Sequence, residues 1–120
     1  MPFSWKDYLT LAERLVNQAD STVDEASFRT ATSRAYYAAF GESKDYAVRK
    51  LGFVAKGLPE DHTSLREQFE RSGMHDVAQL LHRLRGWRNT CDYNSTVPVD
   101  VGYSINAVAV ARKVLQRLKN

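Results

Sequence analysis

The chain has 120 residues, 17 basic against 14 acidic, for a formal net charge of +3 and a sequence pI near 9.1. At 43% apolar and 26% charged, it has the composition of one soluble globular domain, residues 1–120, and not of a disordered segment. No apolar run approaches the roughly 20 residues that span a bilayer, the N-terminal MPFSWKDYLTLAERL lacks the pattern of a secretory signal, and the lone Cys91 excludes an internal disulfide framework. A cytoplasmic protein with no membrane partner is therefore expected.

The first predicted helix covers Ser4 to Ala19, with apolar positions at Tyr8, Leu11, Ala12, Leu15 and Ala19 and Ser4 as its N-cap. A second, long helix runs from about Asp24 to Leu51, capped by Ser21 or Thr22, with Gly41 as an interruption that bends it. Residues 52–62 read as a loop containing Gly57 and Pro59, with Asp61 or Thr63 capping a short third helix over Ser64–Arg71. The fourth helix begins near Asp76 and runs to Asn89 or slightly beyond, on a stripe of Val77, Leu80, Leu81, Leu84, Trp87 and Cys91. A fifth, from about Asp100 to Leu118, carries Ile105, Val108, Ala111, Leu115 and Leu118. No stretch alternates as a strand would. The fold class is all-α, an up-and-down bundle of four to five helices.

Charge is unevenly placed. Residues 1–30 hold three basic and five acidic side chains. The later segments are cationic, with Arg83, Arg85 and Arg88 against Asp92, then Arg112, Lys113, Arg117 and Lys119 against Asp100. Such asymmetry suits a phosphate-rich partner. A solvated helix face whose C-terminal cations complement the dipole gives the same pattern.

Two stretches carry candidate chemistry. In the fourth helix, Arg85, Arg88, Asn89 and Asp92 recur at helical spacing and share one face, while Leu84, Trp87 and Cys91 turn to the core. Paired guanidiniums can hold a phosphate bidentately and stabilise charge that grows on it. The structural alternative is an i,i+4 ion pair between Arg88 and Asp92. In the second helix, Ser33-Arg34-Ala35-Tyr36-Tyr37-Ala38-Ala39-Phe40 sets Arg34 among small and aromatic residues. The tyrosines either stack RNA bases or fill the core.

Together SRAYYAAF and the later Arg88-Asn89 with Asp92-Tyr93 resemble the HEPN domain family (higher eukaryotes and prokaryotes nucleotide-binding). The resemblance implies a four- to five-helix bundle that pairs into a homodimer. It implies an RNA-directed protein, a metal-independent endoribonuclease or toxin of a toxin–antitoxin or defence system, with a cognate antitoxin or other protein as partner. The alternative within the family is a non-catalytic module binding nucleotide, RNA or a protein. Arg88 and Asn89 match the family's arginine and polar residue. Its histidine is missing, since Tyr93, Asn94 and Ser95 occupy the expected positions. Site candidates are thus Arg88, Asn89, Asp92 and Tyr93 for catalysis, and Arg34, Arg85 and His82 for phosphate or RNA. His82, upstream on the Arg85–Asn89 face, is the candidate proton acceptor. His75 is read as a cap or solvent residue, and His62 as a loop residue without a role. No phosphate loop, metal site or cofactor is expected.

Overall fold

The computed structural model describes residues 3–18 and 24–119, and every regular element among them is a helix: α1 (Lys6–Asn17), α2 (Asp24–Lys50), α3 (Asp61–Arg71), α4 (His75–Tyr93) and α5 (Val101–Arg117). The expected caps Ser21 and Thr22 lie outside the described residues. Ser4 does not cap α1 through its side chain; its carbonyl accepts from the Asp7 N–H at 3.0 Å instead.

α2 is the axis of the bundle and packs against all four other helices. Its 27 residues would extend about 40 Å, and the longest dimension of the molecule is 46 Å. A helix covered on several sides needs small residues where neighbouring backbones approach. Ala31, Ala35, Ala38, Ala39 and Ala47 are fully buried along α2, as are Ala107 and Ala111 of α5. Larger side chains from α3, α4 and α5, among them Leu65, Phe69, Val77, Leu81, Leu84 and Val114, complete the core.

Left-handed glycines end two helices. Gly52 (φ 72°) follows α2, and the Phe53 N–H returns to the Ala47 carbonyl at 3.1 Å. Gly73 (φ 77°) follows α3, and the Met74 N–H returns to Phe69 at 2.8 Å. The second is a Schellman closure, with Gly73 N–H also donating to Glu70, while the bond at Gly52 spans one residue more; the residue after each glycine is buried.

Gly41 does not interrupt α2. The helix is continuous through it, and the Trp5 indole lies directly on its Cα, where a Cβ would collide with the ring. Trp5 Nε1 then donates to Asp45 at 3.1 Å. Gly41→Ala should gain helix propensity yet destabilise the protein by about 1–3 kcal/mol through overpacking. Chemical denaturation of the two proteins reads that difference.

In α5 the buried face is centred on Ser104, Ala107, Ala111 and Val114, and Ile105 of the expected stripe is 50% exposed. α5 packs on α1, α2 and α4 together. Ser104 can take the inner position because its hydroxyl donates to the Val101 carbonyl at 3.0 Å.

α3 begins at Asp61, three residues earlier than Ser64. Asp61 caps the preceding loop: its carboxylate accepts from the Lys56 N–H at 3.1 and 3.0 Å and from the Gly57 N–H at 2.8 Å. Burial would raise this carboxyl, but the backbone donors and the Lys44 charge hold it below the usual carboxylate range. Folding the loop down in this way places His62 in the first turn of α3 and against α2.

Candidate functional site

The site forms where the α3 N-terminus meets α2 and the C-terminal half of α4. A cleft of about 500 Å³ is lined by Tyr37, Phe40 and Lys44 of α2, by Gly57 to Pro59 with Asp61 and His62, and by Arg85, Arg88 and Tyr93 of α4. Arg85 and Arg88 stand one helical turn apart and both reach it.

Arg88 is held from several sides. Its Nε donates to Asp92 at 2.9 Å, Nη1 to Asn89 Oδ1 at 3.0 Å and Nη2 to Tyr93 Oη at 3.1 Å. Its guanidinium lies 5.3 Å from the Tyr37 ring centre and 5.1 Å from that of Tyr93. Burial opposes its charge, but Tyr37, Tyr93 and Asp92 raise its pKa and keep it protonated. Asp92 is itself anchored across the bundle, accepting from Ser33 Oγ of α2 at 3.1 Å. Of the four residues expected to act in catalysis, Arg88 and Tyr93 line the cleft, whereas Asn89 and Asp92 hold Arg88 from outside it.

Arg34 makes the next rung beyond Tyr37. Its guanidinium is 5.4 Å from the Tyr37 ring centre and 5.0 Å from that of Tyr8, and Nη2 reaches Ser33 Oγ at 3.4 Å. Tyr8, Arg34, Tyr37, Arg88 and Tyr93 therefore alternate ring and cation across α1, α2 and α4. Arg34 joins this row but does not line the cleft. Tyr36 is core, at 2% exposure, while Tyr37 and Phe40 are half-buried and form the cleft wall.

Arg85 has no carboxylate or hydrogen-bond partner among the described residues. A half-buried guanidinium without one is electrostatically costly and attracts an anion. The two arginines of α5 differ: Arg112 pairs with Glu13, and Arg117 Nε donates to Asp76 at 2.8 Å.

His82 does not share this site. It is exposed and lines a separate groove between α3 and α4 with Thr63, Arg66, Glu67 and Arg83. Counting about 100° per residue, it projects roughly 120° around the helix from Arg88. His75 pairs with Glu70 at the surface. The histidine of the cleft is His62, for which the sequence predicts a loop. Pro59 followed by Glu60 and Asp61 is a helix-start pattern that could have placed it in a first turn.

The His62 ring stacks on Phe40 with centroids 4.1 Å apart, and its Nδ1 is hydrogen-bonded to Tyr36 Oη. Burial and the Arg85, Arg88 and Arg66 charges lower its pKa from 6.5 to about 4, so the ring is neutral near pH 7. The unfolded chain binds this proton more tightly, so acidification from pH 6.5 towards about 4 favours unfolding. Burial holds the Tyr36 hydroxyl well above the usual phenol value, and it stays protonated.

Arg29, which no sequence pattern singles out, fixes the end of α4. Its Nη1 donates to the carbonyls of Thr90 at 3.2 Å, Cys91 at 3.0 Å and Asn94 at 3.0 Å, Nη2 donates to Val97, and Nε donates to Glu25 at 2.9 Å. A cation is thus seated at the negative end of the helix that carries Arg88. Cys91 is buried with Phe28 and Val99, and burial pushes its thiol up, away from a nucleophile's range.

No family model, curated protein or solved structure matches this chain.

Proposed function

We propose that the cleft binds single-stranded RNA, with a phosphodiester between Arg85 and Arg88 and unpaired bases on the aromatic rungs, in keeping with the chain's resemblance to the HEPN family. The observation that carries this reading is Arg85, a cation with no carboxylate or hydrogen-bond partner among the described residues, facing the same cleft as Arg88. Two guanidiniums one turn apart attract a phosphodiester and can donate to both its non-bridging oxygens. Tyr37 and Phe40 line the cleft, and Tyr93 is 74% exposed at its edge. These faces suit stacked bases, which a duplex would not offer.

The cleft is open on one side, and Leu58 and Tyr93 expose apolar surface there. A second copy of the chain would wall it, consistent with a homodimer. The test is fluorescence anisotropy with a labelled single-stranded RNA, beside a mass measurement in solution that should give a dimer. Arg85→Ala is expected to weaken RNA binding by about 5- to 10-fold while leaving thermal stability unchanged. Unchanged affinity in that variant would overturn the reading.

A further inference from the structure

We propose that the groove between α1 and α5 is a docking surface for an amphipathic helix of a partner protein, one with an apolar face and acidic residues at one end. The groove is separate from the cleft, which α2, α3 and α4 line, so the inference stands without the RNA reading.

The groove follows from the spacing on two helices. On α5, Ile105, Val108, Arg112, Leu115 and Lys119 recur at alternating steps of three and four residues and share one face. On α1, Lys6, Leu9, Glu13 and Val16 do the same. These two faces line a pair of cavities. One, of about 380 Å³, lies where α1 begins and α5 ends, and the other, of about 220 Å³, where α1 ends and α5 begins. Arg112 borders both, and its ion pair with Glu13 forms the sill between them. From Ile105 to Lys119 the α5 face extends about 21 Å, room for four turns of a guest helix.

The floor is aliphatic. Leu9, Val108 and Leu118 are buried there, and Val16 and Leu115 are half-buried. At the narrower end Ile105 is 50% exposed, with Val101 exposed one turn before it. Two apolar hollows in line suit the side chains of one helix face, as in helix-in-groove recognition. Neither hollow is lined by an aromatic ring, so unpaired bases have nothing to stack on, which favours a protein guest over RNA.

Charge selects the guest further. Lys6 of α1, Arg49 of α2 and Lys119 of α5 stand exposed around the larger cavity, against Glu42 alone, since Glu13 already pairs with Arg112. None of the three has a carboxylate or hydrogen-bond partner among the described residues. Acidic residues at the matching end of the guest complement this rim and fix its direction in the groove. A second copy of the chain, itself at a net charge of +3, complements it poorly.

The test uses the full chain and a labelled synthetic peptide of about 16 residues, with leucines at i, i+3, i+7 spacing and glutamates in its last two turns. A companion peptide carries lysines in place of the glutamates. By anisotropy the acidic peptide should bind at least about tenfold more tightly than its companion, and raised salt should narrow the gap. Arg49→Glu combined with Lys119→Glu should reverse the preference. Ile105→Asp should weaken the acidic peptide at least about fivefold. All three positions are exposed, and melting curves verify that the variants fold. Amide NMR shifts caused by the peptide should run along α1 and α5 and spare Arg85 and Arg88. Equal affinity for the two peptides, binding of neither, or shifts confined to the cleft would overturn the proposal. So would displacement of the peptide by single-stranded RNA, or a dimer in solution whose interface shifts fall on α1 and α5.

Discussion

Replacing Arg88 with alanine should weaken RNA binding at least about tenfold and slow any cleavage by roughly 100- to 1000-fold, with a loss of stability of about 1–3 kcal/mol. The stability effect follows from the Arg88 side chain being only 15% exposed: its loss removes donors to Asp92, Asn89 and Tyr93 and leaves the Asp92 carboxylate with Ser33 alone. The functional effect is large because the same guanidinium lies between Tyr37 and Tyr93 and faces the cleft beside Arg85. Arg88→Lys separates charge from shape. A lysine keeps the positive charge but cannot donate to Asp92, Asn89 and Tyr93 from one rigid plane. It should recover part of the binding and little of the cleavage. Anisotropy and product analysis, with melting curves as the control for folding, read these differences. A folded Arg88→Ala variant that melts lower yet binds RNA as tightly as wild type would show that Arg88 acts only in packing.

Arg29→Ala should be the most destabilising single change among the polar residues, on the order of 3 kcal/mol. Four carbonyls at the end of α4 and in the turn after it lose a charged donor at once. Glu25 loses its partner as well. Because Tyr93 ends α4, the loosening should reach the cleft. RNA binding should fall at temperatures where the mutant is still folded, and amide exchange should rise from Thr90 to Val97. Urea titration measures the first effect and hydrogen exchange the second. A loss below about 1 kcal/mol would mean that water satisfies these carbonyls equally well.

Hydrophobic periodicity makes the helices legible in the sequence, and the fourth-helix spacing alone puts Arg85 and Arg88 on one face. What periodicity cannot supply are relationships between segments. Arg29 binds backbone carbonyls more than sixty residues away, and carbonyls leave no mark on a sequence. Gly41 reads locally as a weak point in a helix, yet its bare Cα is the seat for Trp5. The most consequential difference concerns Asp61. Taken as a helix cap it implies a later start, which leaves His62 in a loop. In the structure its carboxylate folds the loop back, and His62 joins Phe40 and Tyr36 instead. His82 is near Arg85 in sequence, but the helix turns it into another groove.

The salt dependence of RNA binding tests the cleft most directly. The affinity of wild type, Arg85→Ala, Arg88→Ala and the double variant for one single-stranded RNA would be measured from low to moderate salt. Each arginine that contacts a phosphate should contribute about 0.7 to the slope of log affinity against log salt, so the double variant should lose about 1.4. Equal slopes in all four proteins would contradict a phosphate held between Arg85 and Arg88.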